Sequence, residues 1–61
     1  MEFYERYYWQ YKAADDQTRK EAKEHWLKCH RENLKADRKD LIIFSAQILA
    51  MIDMAENDIK L

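Results

Sequence analysis

The stretch from Asp40 to Asp53, DLIIFSAQILAMID, decides how this chain folds. Between the two acids only Ser45 and Gln47 are polar. A helix that crosses a membrane needs ~20 apolar residues, so a run of this length predicts a buried helix and no span. At ~100° per residue, Leu41, Phe44, Ile48, Met51, Ile52, Ala55 and Ile59 share one face. Ile42, Ile43, Ala46, Leu49, Ala50 and Met54 make a second. A helix that is apolar on both sides has to be covered on both, and the rest of a 61-residue chain holds material for little more than one. The expectation is a homodimer with this helix at its centre, formed through Ile42, Ala46, Leu49, Ala50 and Met54, with Ile48 also in the interface. Ala46 and Ala50 would allow close approach of the two backbones. The alternative is a monomer that docks the same face on another protein.

Composition points the same way. Glycine and proline are absent and there is one cysteine. Without glycine there is no cheap source of positive φ for tight hairpins, phosphate-cradling loops or dinucleotide fingerprints, which argues against β-rich folds and nucleotide enzymes. A single Cys29 cannot close an internal disulfide, and a domain of this size buries only ~60% of its unfolded surface. Extra stability is expected from a second subunit. The opening Met1-Glu2-Phe3-Tyr4-Glu5 lacks the basic start and apolar segment of a secretory leader, so the expected location is cytoplasmic, where a lone thiol stays reduced. With 48% hydrophobic residues and a net charge of −1, the chain lies outside the disordered regime.

Boundaries must come from capping chemistry. Asp15, Asp16 or Thr18 can start a second helix, with Glu21 at capping-box spacing from Thr18, and Asp37 can start a third. The prediction is an all-α single domain, residues 1–61, of three helices at about 2–14, 17–36 and 38–58. The first break is the weaker of the two, because Ala13 and Ala14 favour continuous helix.

The first helix carries Phe3, Tyr4, Tyr7, Tyr8 and Tyr11 on one face and Trp9 on the other. The tyrosine stripe reads as core packing, with hydroxyls reaching solvent at the rim. Trp9 reads as an anchor for an unidentified protein partner, with Tyr4 and Tyr8 beside it, since tryptophan and tyrosine dominate interface hot spots. The second helix has a charged face of Lys20, Glu21, Glu24, Lys28, Arg31, Glu32 and Lys35. There, Glu24 with Lys28 and Lys28 with Glu32 are spaced to pair. Its other side, with Ala22, Trp26, Leu27, Cys29, His30, Asn33 and Leu34, is apolar apart from His30 and Asn33. Those two are expected to bond to each other, to tyrosine hydroxyls or across a subunit interface, because buried polar groups are costly alone.

Chemistry is sparse. Glu21, His25 and Cys29 recur every four residues, but no paired-cysteine or HExxH spacing supports a metal site, and His30 nearby adds little. Cys29 has histidines for neighbours but no room for a cleft in three short helices. No catalytic residue, metal or cofactor is assigned. Charge is uneven: residues 18–39 hold eight basic against four acidic side chains, net +4, while 1–17 carry −2 and 40–61 carry −3. The basic middle, through Lys28, Arg31, Lys35, Arg38 and Lys39, offers a second function, a DNA-binding or transcription-modulating dimer. Glu21, Glu24 and Glu32 interrupt that stripe, and the last helix, with only Lys60 beyond Asp40, is too apolar to read a groove. Asp53, Glu56 and Asp58 are either a solvated acidic end or a contact for a basic partner. The first function is a non-catalytic interaction or regulatory module, a helical homodimer that binds another protein and no membrane.

Overall fold

Asp15 lies outside the helical region, at φ −75° and ψ 171°, and its carboxylate accepts the backbone N–H of Thr18 at 2.8 Å. Of the three candidate caps, this is the one used: a short acidic side chain satisfies a free amide of the first turn. Thr18, through its side chain first and then through this backbone N–H, holds the Asp15 carboxyl below its ordinary range. The extended backbone at this residue separates the first two helices despite the alanines before it. The computed structural model describes residues 2–59, which form an all-α fold of α1 (Glu2–Ala13), α2 (Asp16–Lys35) and α3 (Lys39–Glu56).

Asp37 corrects the sequence expectation. It does not cap α3, whose N-cap is Arg38 with no side-chain hydrogen bond. Asp37 instead closes α2, at φ 55° in the left-handed region. There the Asp37 N–H donates to Leu34 O at 3.2 Å and the Arg38 N–H donates to Asn33 O at 3.1 Å, a Schellman closure. The end of α3 repeats it: Asp58 has φ 56°, its N–H donates to Ala55 O at 3.4 Å, and the Ile59 N–H donates to Met54 O at 2.9 Å. Glycine usually takes this position because a Cβ is strained there. A chain without glycine uses aspartate twice, since its short polar side chain tolerates the left-handed well better than most.

Both α1 and α2 pack on α3. The core is Tyr8, Tyr11, Ile48, Met51, Ile52 and Ala55, with Tyr4, Tyr7, Ala22, Trp26, Phe44, Leu49 and Met54 packed against it. The molecule measures 32 × 26 × 16 Å. Helices α1 and α2 both pack on the side of α3 that carries Ile48, Ile52 and Ala55, while Ile43, Ala46 and Ala50 on its far side stay exposed.

At one end Phe3 stacks on Phe44 at 5.8 Å, and Trp26 meets Tyr7 and Phe44 edge-on at 6.4 and 5.7 Å. Leu41, expected on the core face, lies before Phe44, the residue Phe3 and Tyr4 reach, and is 43% exposed. Ile59, expected on the same face, follows the turn that ends α3 and is 50% exposed.

Candidate interaction surfaces

Tyrosine hydroxyls join α1 to α3. The Tyr8 hydroxyl donates to the Ile59 carbonyl at 2.7 Å, the Tyr11 hydroxyl to Glu56 Oε2 at 2.9 Å, and the Tyr4 hydroxyl to Gln47 Oε1. The expectation of hydroxyls at the solvent rim holds for Tyr4, whose bond is exposed, whereas those of Tyr8 and Tyr11 are part-buried against the last turn of α3 and the residues that close it. Burial, and then the bond to the Glu56 carboxylate, pushes the Tyr11 phenol up to about 12. Glu56 also accepts from Lys23 Nζ at 2.9 Å, which holds its carboxyl down, and Asp58 is paired with Lys12. Two of the acids considered as a contact for a basic partner are therefore engaged within the chain. Asp53 is exposed, and among the described residues its carboxylate accepts from Asn57, the residue that caps α3, at 3.2 Å.

The α2–α3 seam holds one buried polar cluster. Ser45 is fully buried; its hydroxyl donates to Leu41 O at 2.9 Å and stands 2.7 Å from His30 Nδ1. Asn33 Nδ2 donates to Leu41 O at 3.1 Å and to Ser45 Oγ at 3.4 Å. The Ser45 hydroxyl has one proton and three acceptors within reach, Leu41 O, Ile42 O at 3.2 Å and His30 Nδ1, and its lone pairs face Asn33 Nδ2. His30 and Asn33 therefore meet through a serine on α3. A serine beside a histidine resembles half of a nucleophilic pair, but a hydroxyl with no exposure cannot meet a substrate.

The other titratable groups carry little. His25 Nε2 is 3.6 Å from Cys29 Sγ, while Glu21 turns to Gln17 at 3.0 Å. Among the described residues no group of three or more His, Cys, Asp or Glu side chains is placed to hold a metal ion. A shallow depression lined by Arg19, Lys20, Lys23 and Glu24 has two of its three cations already paired, Arg19 with Asp16 and Lys23 with Glu56. Lys28, Arg31 and Lys35 are exposed along the outer face of α2, interleaved with exposed Glu24 and Glu32. Arg38 and Lys39 are exposed too, but at the start of α3 and off that stripe. Lys60 lies outside the described residues.

Two surfaces remain. Trp9 is 57% exposed on the outer side of α1, its ring edge-on to Tyr8 at 5.0 Å. Tyr4 is half-buried, whereas Tyr8 is 1% exposed and cannot form part of a surface with Trp9. The larger surface is the outer face of α3. Ile43, Ala46 and Ala50 are exposed and Ile42, Leu49 and Met54 half-buried, whereas Ile48 is wholly inside the protomer and is no interface residue. Leu27 and Leu34, 38% and 53% exposed, widen it. They follow Lys23 and His30 by four residues on α2, and those two side chains reach Glu56 and Ser45 across the seam with α3. Their spacing predicts core positions; at 38% and 53% exposure they sit at the edge of the seam instead. No described helix is long and apolar enough to cross a membrane. No protein-family model, curated protein or solved structure matches the chain.

Proposed function

We propose that this chain is a small, non-catalytic protein-interaction module that acts as a helical homodimer and presents Trp9 to a second protein. The observation that supports it is the open outer face of α3, the most apolar helix, with Ile43, Ala46 and Ala50 exposed. Contiguous apolar surface of this kind is what subunit interfaces cover. A regulatory role in a reducing, cytoplasmic setting suits a chain whose one cysteine is free.

Trp9 supplies the second surface. An exposed tryptophan ring carries a large contact area at low conformational cost, which is why such rings anchor interfaces. Nucleic-acid binding ranks behind this, since Glu24 and Glu32 stand among Lys28, Arg31 and Lys35 and would repel phosphates.

Size exclusion with light scattering tests the dimer. A species of twice the 7.5 kDa chain mass at high micromolar concentration supports it, and a monodisperse single-chain species rejects it. Gel shifts with duplex DNA at two salt concentrations test the second reading, which requires retardation that weakens as salt rises.

A further inference from the structure

Two charges in α3 stand at the wrong ends of their own helix. Lys39 is its first residue, where the free N–H groups already carry positive charge, and Asp53 lies in its last full turn, where the free carbonyls are negative. Both are exposed, and neither enters an ion pair among the described residues. On the helical wheel they fall on the open face, at the two ends of the stripe Ile42, Ile43, Ala46, Leu49 and Ala50.

That stripe is symmetric about Ala46. Reversing the helix about this residue places Lys39 opposite Asp53, Ile42 opposite Ala50, Ile43 opposite Leu49, and Ala46 opposite itself. We propose that the outer face of α3 is covered by a second copy of the same chain, the two α3 helices antiparallel and crossing at Ala46, with Lys39 of each copy paired to Asp53 of the other. This rests on the homodimer reading above and specifies its geometry.

Three physical features favour this occupant and this direction. Large Ile42 faces small Ala50, Ile43 faces the half-buried Leu49 of equal volume, and Ala46 at the axis permits close packing. The wrong-end charges become right-end charges: Lys39 approaches the negative terminus of the partner helix and Asp53 the positive one. A parallel pairing would place Lys39 against Lys39 and Asp53 against Asp53, which is repulsive at both ends. From Lys39 to Asp53 the helix rises ~21 Å at 1.5 Å per residue, so both ion pairs frame the apolar stripe and leave its centre dry.

Sedimentation velocity over a concentration series provides the test, on the wild type, Lys39→Glu, Asp53→Lys and the double exchange. Each single reversal is expected to weaken dimerisation by about tenfold, because two like-charged contacts appear per dimer, and the double exchange to restore it. Each single variant should also keep or raise helicity by circular dichroism, since it improves its own helix dipole; a charge that merely supported the protomer would lower both together. In a Cys29→Ser background, Ala46→Cys is expected to form a disulfide-linked dimer under mild oxidation, since the two positions meet at the axis. A wild-type dimer that the single reversals do not weaken, that the double exchange does not restore, or that Ala46→Cys does not cross-link overturns this arrangement and leaves the homodimer standing. A wild type that stays monomeric overturns both.

Discussion

The hydroxyl of Tyr8, in the second turn of α1, donates to the carbonyl of Ile59, just past the end of α3, at 2.7 Å and across 51 positions of sequence. The ring is 1% exposed, so one side chain fills the core and satisfies a carbonyl of the closing turn. Removing only the oxygen, as Tyr8→Phe, is expected to lower stability by about 1 kcal/mol. For a domain of this size that is a fall in melting temperature of roughly 4–8 °C, read by thermal denaturation at fixed protein concentration. An unchanged melting temperature would mean that the hydroxyl contributes nothing beyond its ring.

The left-handed aspartates predict the opposite sign. Asp37→Gly removes a Cβ from a residue at φ 55° and should raise stability by about 0.5–1 kcal/mol. Asp58→Gly should gain less, because it also removes the partner of Lys12. Chemical denaturation of the two variants side by side checks the order.

Ser45→Ala should be destabilising by about 1–3 kcal/mol, since it leaves His30 Nδ1 and one bond of Asn33 without a partner in the seam. Exchange of the α2 and α3 amides would show where the seam loosens. A loss confined to α1 would contradict the assignment of this cluster to the α2–α3 contact.

Stability should fall in acid. Lys23 holds the Glu56 carboxyl below its ordinary 4.5, and Lys12 holds Asp58 below 3.8. The unfolded chain therefore takes up these protons at higher pH than the folded one. The stabilisation is full above the ordinary values and is lost as pH falls through the depressed ones. Glu56→Gln should flatten part of that fall in melts between pH 6 and pH 3. Tyr11 acts at the other end: with its phenol raised from 10.0 to about 12, its contribution is complete below pH 10 and disappears as pH rises through about 12.

Trp9→Ala should leave the fold within about 1 kcal/mol of wild type, because more than half of the side chain is already in water. It should weaken capture of a protein partner without changing dimer mass. Unfolding of this variant would place Trp9 in the core and end its role as an anchor. Ile48→Asp, by contrast, should prevent folding, since it buries a charge where exposure is 0%.

The all-α class and three helices were legible because they depend on local chemistry. The apolar period of residues 41–52, the caps available at Asp15, and the absence of glycine and proline act within a few residues of one another. Helix limits follow to within two positions. The role of Asp37 was not legible, since capping the next helix and closing the previous one call for the same short acidic residue, and only the sign of φ separates them.

Of the candidate surface, Trp9, Ala46 and Ala50 could be found from helical spacing alone. Tyr8, Ile48, Leu27 and Leu34 could not be sorted, because a helical wheel says which residues share a face but not how far a neighbouring helix covers it. The partners of the tyrosine hydroxyls, of His30 and of Glu56 and Asp58 were likewise hidden: they lie 15 to 51 positions away, and no periodicity reports such distances. Residue order alone is enough to show that this chain is helical and that its third helix carries more apolar surface than the other two can cover. Which side is left open emerges from the packing of α1 and α2, whose directions are set by contacts between residues far apart in the chain.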